Sequence, residues 1–204
     1  MKKFVVISGN IGVGKSTLVQ LLCQQLKWQP FYEPVTENPY LIDFYRDMQA
    51  WAFHSQIFFL TRRLRIHYQI LHQPSSVIQD RSVYEDAEIF AHNLYIQGYF
   101  GERDYGAYRE LYEVLVDFLP PPDLVIYLQA SVPMLVGHIQ NRGRDYEREI
   151  SIQYLEQLNI LYEKWISTFR LCPVLTIPTD HLDFVAHSND LNWIVQEIRS
   201  RLSL

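Results

Sequence analysis

Three observations in the 204 residues predict an α/β fold in which helices wrap a parallel sheet. Short β-branched apolar runs alternate with long amphipathic stretches, a glycine-rich turn leads straight into one of those stretches, and prolines halt the chain before a late strand. With 48% hydrophobic and 20% charged residues the chain can close one sizeable core, so a single domain over residues 1–204 is expected. The formal net charge of −5 gives no general attraction for a nucleic acid backbone, so polymeric nucleic acid is not expected as a partner. A charged small molecule would have to be met by a local cluster of arginines.

Cys23 and Cys172 lie far apart without the paired spacing of a zinc site, and the seven histidines are scattered. No run approaches the length of a membrane span, so no membrane partner is expected, and "MKKFVVISGN" reaches glycine too soon for a signal peptide. A cytoplasmic protein with buried thiols is the expectation.

Five strands follow in order: "KFVVIS", "FYE", "SSVIQD", "DLVIYL" and "PVLTIP". After the first comes "GNIGVGKST" and the helix former "TLVQLLCQQL". The second ends at Glu33, where Pro34 prevents an ordinary helix. Residues 50–72 have helical period, with Trp51, Phe58, Leu60, Leu64 and Tyr68 among the apolar positions. Past the third strand, Ser82 and Glu85 have the spacing of a capping box. "LPPP" stops the chain before the fourth strand, and residues 189–202 form a last amphipathic helix after "PTDHLDFVAHS".

Gly9, Gly14, Lys15 and Ser16 fit G-x-x-x-x-G-K-[ST] between a strand and a helix. In such a loop the backbone N–H groups turn toward phosphate oxygens at the positive end of the helix. Lys15 is expected to reach the β and γ phosphates of ATP, and Ser16 to bind Mg²⁺. The motif identifies a triphosphate donor and leaves the acceptor open.

Acceptor residues are expected at the carboxyl ends of the other strands. Glu33 is placed to take a proton from a hydroxyl, Arg81 to neutralise either a transferring phosphoryl group or the Glu33 carboxylate, and Asp80 to orient Mg²⁺ through water. Gln56, Phe59 and Arg63 share one helix face, where a glutamine amide can pair with a nucleobase edge; a surface Gln and Arg would show the same spacing. Arg142, Arg144 and Arg148 surround Gly143, either as a lid over phosphates or as a solvated loop, since acidic residues interleave with them.

In this order, "GNIGVGKST", "EPV" with "ENPYL", "WAFHSQIFFLTRRLR", "DRSVYED", "PDLVIYL", "RGRDYE" and the late "LDF" resemble the deoxynucleoside kinase family nearly end to end. The resemblance implies a P-loop kinase fold with a five-stranded parallel sheet and an arginine-bearing lid over about residues 142–150. It implies ATP-dependent phosphorylation of the 5′-hydroxyl of a deoxynucleoside, with Glu33 as general base assisted by Arg81. Gln56 would read the base, with Arg63 and Asp86 paired near its far edge, and Tyr45 and Glu147 would hold the sugar 3′-hydroxyl. The loop residues Gly9, Asn10, Ile11, Gly12, Val13, Gly14, Lys15, Ser16 and Thr17 would hold ATP. Arg142 and Arg144 would lie on its phosphates, and Asp183 and Phe184 around its adenine. A homodimer is also implied.

His138 stands where family members often carry a further lid arginine, and Phe59 is bulkier than the small residue some members have. A purine deoxynucleoside, deoxyadenosine or deoxyguanosine, is the expected substrate, with deoxycytidine or a broad range as the alternative. A nucleoside monophosphate kinase fits less well, because Val35, Thr36 and Glu37 follow Glu33-Pro34 where a glycine-rich continuation is usual. A nucleotide-switched binding module would leave the lid arginines and the base-reading helix without a purpose.

Overall fold

The computed structural model describes residues 2–32, 37–144, 147 and 150–204. Five strands form one parallel sheet in the order β2-β3-β1-β4-β5, with β1 Phe4–Gly9, β2 Gln29–Phe31, β3 Val77–Asp80, β4 Leu124–Gln129 and β5 Val174–Pro178. The central strand is buried along its whole length, as an unbroken apolar run in a parallel sheet should be. Its side chains alternate between two cores. Phe4 and Val6 face one layer, built from α3 (Met48–Leu71), α6 (Glu102–Val116) and α8 (Ile152–Thr168). Val5 and Ile7 face the other, built from α1 (Lys15–Leu26), α7 (Val132–Arg142) and α9 (Ser188–Leu202). The short helix α2 (Leu41–Arg46) packs on α3.

The second strand lies two residues earlier than "FYE" predicts. Lys27 ends α1 in the left-handed conformation at φ 58°, which turns the chain at once, and Gln29 N–H then reaches Ser76 O at 3.0 Å. The pairing of Gln29, Pro30 and Phe31 with Val77, Ile78 and Gln79 follows from that turn. The long helix also starts two residues earlier than predicted, because the Asp47 side chain accepts from Ala50 N–H and caps it. After β3 the chain runs through α4 (Val83–Glu85), a π-helical stretch (Asp86–Ala91) and α5 (His92–Ile96). Among the described residues no helix is long and apolar enough to cross a membrane.

His67 of α3 is buried edge-on against the Phe4 ring, 5.3 Å between centroids. Burial lowers its pKa from the ordinary value, opposed by a hydrogen bond to the Pro120 backbone. The unfolded chain therefore takes up this proton first as pH falls. The stability linked to His67 is complete above about pH 6.5 and is lost as pH falls below that value. Thermal melts between pH 8 and pH 5 should show a decline that His67→Leu flattens; an unaltered slope would assign the decline to other groups.

Candidate active site

The phosphate loop begins where β1 ends. Gly9, Gly12 and Gly14 all have positive φ, at 145°, 85° and 100°. A Cβ on Gly9 would sit 2.7 Å from the Leu128 carbonyl oxygen, and one on Gly12 would sit 2.9 Å from that of Leu135, so the curl of the loop admits no side chain at either place. Gly14 precedes the first turn of α1, leaving the positive end of that helix at the loop. Lys15 Nζ donates to the carbonyls of Gly9 and Asn10, both at 2.9 Å. Ser16 Oγ donates to Asp80 Oδ2, which brings the two predicted metal residues together, one on the first turn of α1 and one at the end of β3. Two hard oxygen donors side by side fit an Mg²⁺ ion carried by a triphosphate.

Asn10 ties the loop to α8: its Nδ2 donates to Leu155 O at 3.0 Å and to Asn159 Oδ1 at 2.7 Å. His138 Nδ1 lies 2.9 Å from Gly12 O, so α7 is engaged with the phosphate loop at this position. The Phe184 ring approaches the position a Gly14 Cβ would take to 3.3 Å, beside the phosphate loop. Exposed Asp183 accepts from Ala186 and Val185 N–H, and these bonds hold its carboxyl below the ordinary range.

At the carboxyl end of β3, Arg81 is held at φ 65°, a left-handed conformation uncommon for a side chain of this size. Its N–H bonds Ile7 O at 2.9 Å, and its guanidinium lies over the Phe90 ring at 4.4 Å and donates to Tyr162 Oη at 2.6 Å. Gln56 and Arg63 are both buried, which removes the reading of a wet helix face. Arg63 grips Asp86 with two bonds, Nε to Oδ2 at 3.0 Å and Nη2 to Oδ1 at 3.3 Å. Its Nη1 donates to the carbonyls of Asp80 and Arg81.

A cavity of about 1060 Å³ joins both sides. Its walls include residues 11–17 of the loop, Asp80, Arg81 and Asp86, Gln56 and Tyr45, Arg142, Arg144 and Glu147, and Asp183 with Phe184. Three expected site residues stand elsewhere. Gly9, Asn10 and Arg63 lie behind the walls and hold what forms them. Glu33 and Arg148 lie outside the described residues. Arg142 Nε and Arg144 Nη1 donate to the two oxygens of Glu147, at 2.9 and 3.2 Å, so one carboxylate gathers both arginines.

Sequence reasoning missed Tyr154, Phe44 and Phe90 on the walls, and Glu85 and Tyr162 behind them. No motif or spacing marked the aromatics, and Glu85 read as a cap alone. Its half of the capping box is present, with Ser82 N–H donating to Oε2 at 2.8 Å.

A phosphate loop at the carboxyl end of the central strand, with a cationic and acidic strand end facing it across one cavity, defines an α/β protein of the P-loop kinase fold. Within that class the chain belongs to the deoxynucleoside kinase family, whose model matches residues 5–203. It is 38% identical over 198 residues to a deoxyadenosine/deoxycytidine kinase of Bacillus subtilis, covering 96% of this chain and 91% of that protein. It is 34% identical to a deoxyadenosine kinase of Lactobacillus acidophilus, covering 99% and 97%. A solved structure of deoxyadenosine kinase from M. mycoides, with products dCMP and a flexible dCDP bound, superposes with a TM-score of 0.87 at 31% identity, covering 97% of this chain and 99% of that one.

Proposed function

We propose that the chain transfers the γ phosphate of ATP to the 5′-hydroxyl of a deoxynucleoside, acting as one domain over residues 1–204 with a lid over about residues 142–150. The observation that carries this is the continuity of the cavity from the phosphate loop to Gln56 and Asp86. Gln56 lines it, and among the described residues no donor reaches its buried Oε1, so an amide oxygen is left for a ligand. Asp86, fixed by Arg63, presents an acceptor beside it. An exocyclic amine, with two N–H donors to offer, matches that pair of acceptors.

Lys15 would meet the β and γ phosphates, and Arg142 and Arg144 would close over them. Phe184 and Asp183 would border the adenine, and Tyr45 and Glu147 the sugar. Glu33 would take the hydroxyl proton while Arg81 offsets charge on the transferring group. Mg²⁺, held at Ser16 and Asp80, would supply charge neutralisation between the phosphates. The chemistry needs positioning and charge more than covalent help.

The substrate is a purine deoxynucleoside, deoxyadenosine or deoxyguanosine, supported by relatives named for each, among them a B. subtilis deoxyguanosine kinase 33% identical over 202 residues. A second reading, deoxycytidine as well as deoxyadenosine, is favoured by the Asp86 acceptor, since adenine and cytosine both carry an exocyclic amine. A homodimer in the cytoplasm is proposed with it, supported by the exposed Tyr68 and Leu71 of α3 and Leu111 and Val114 of α6. Assay with ATP and Mg²⁺ across the four natural deoxynucleosides, and with their monophosphates in parallel, is expected to show the highest kcat/KM on a purine deoxynucleoside. Faster use of a monophosphate would overturn the proposal, and hydrolysis indifferent to any nucleoside would return the chain to a switch.

A further inference from the structure

Glu85 is fully buried, and the hydrogen bonds to its carboxylate come from hydroxyls and backbone N–H groups. Its Oε2 accepts from Ser8 Oγ at 2.8 Å and from Ser82 N–H at 2.8 Å and Oγ at 3.2 Å. Its Oε1 accepts from Gly9 N–H at 3.3 Å and Tyr162 Oη at 2.9 Å. The Tyr162 hydroxyl in turn accepts from Arg81 Nη1 at 2.6 Å, standing in an ion pair whose charged atoms are 3.6 Å apart. Its ring is fixed by stacking on Tyr127 of β4, 5.7 Å between centroids at 16°. One carboxylate and one hydroxyl thus join the end of β1, the end of β3 and α8, the helix that follows the lid.

We propose that Glu85 and Tyr162 are positioning residues: they lock Arg81 and the entrance of the phosphate loop into one rigid unit, so that donor and acceptor sides meet at a fixed separation. A residue of this size at φ 65° stays in place only where its surroundings over-determine it, and the Arg81 guanidinium is held among Tyr162, Glu85 and the Phe90 ring. The network sets its direction from the same carboxylate that holds the Gly9 N–H. A filler role would be met by an apolar side chain, whereas a buried carboxylate surrounded by donors is costly unless its geometry is used.

The inference rests on Arg81 acting at the transferring phosphoryl group. Tyr162→Phe removes one oxygen and keeps the stack on Tyr127. We expect its kcat to fall by about 10- to 100-fold, the scale of a small misplacement at a reacting centre, with both KM values within about threefold of wild type. The affinity for ATP by calorimetry should be unchanged and the thermal midpoint within a few degrees. In an Arg81→Lys background the same change should cost less than about twofold, because the two residues act as a unit. Unchanged kcat in Tyr162→Phe, a KM that rises in step with the loss of rate, or effects that multiply in the double variant would each overturn the proposal. If Tyr162→Phe lowers the melting temperature strongly, Glu85→Asp is measured in the same way, and a kcat close to wild type there would also overturn it. Wild-type protein inactive on every deoxynucleoside would fail the functional reading instead, an outcome visible before any variant is made.

Discussion

Glu33→Gln is expected to lower kcat by about 10²- to 10⁴-fold, the worth of a positioned general base, while ATP binding is preserved. The amide has the size of the carboxylate and cannot take a proton from the attacking hydroxyl. The phosphate loop is assembled from β1, α1 and α8, so the donor site has no need of residue 33. In the chain Glu33 follows two residues after Phe31, which pairs with Gln79 next to Asp80 and Arg81. Steady-state kinetics with calorimetric ATP titration decide the matter. A kcat within about threefold of wild type would remove Glu33 as the base and direct attention to a carboxylate inside the described cavity.

Arg63→Met is expected to lower stability by about 3–5 kcal/mol, enough to shift the thermal midpoint by roughly 10 °C in a domain of this size. Both partners of the Arg63–Asp86 pair are almost fully buried, at 1% and 4% side-chain exposure. Losing the guanidinium leaves a desolvated carboxylate, and it strips the Asp80 and Arg81 carbonyls of their donor. Arg63→Met with Asp86→Leu should recover much of the loss, since an apolar pair of similar volume carries no buried charge. The double variant should nonetheless bind deoxynucleoside poorly, because the acceptor at Asp86 is gone. Differential scanning calorimetry of the two variants, with and without deoxynucleoside, tests both statements; a single variant as stable as wild type would show that water reaches Asp86.

The legible part of this protein was local. Gly9, Gly14, Lys15 and Ser16 declare their loop because a particular backbone path and a particular cation are both required within eight residues. The capping box at Ser82 and Glu85 was legible for the same reason, a fixed short spacing. The second face of Glu85 was not. Its bonds to Ser8, Gly9 and Tyr162 cross 76 or 77 positions, and no pattern along one chain announces such a meeting. Arg63 was placed in the right cluster but one layer too far forward, since helical spacing gives the face a residue lies on and not how deeply that face is covered. The register of β2 turned on the left-handed end of α1 at Lys27, a conformation that a lysine codon does not advertise.

The parallel pairing of β1 also has a consequence for synthesis. Its partners are residues 77–80 on one side and 124–128 on the other, and Gly9 is matched with Leu128. Parallel strands cannot close on a neighbour in sequence, and such long-range pairings form late and slowly. A nascent chain therefore carries the whole phosphate-loop sequence by residue 17 and waits through more than a hundred further codons for the wall that shapes it. Nucleotide cannot chaperone the early half of this protein on the ribosome; it can only reward a chain whose fourth strand has already emerged.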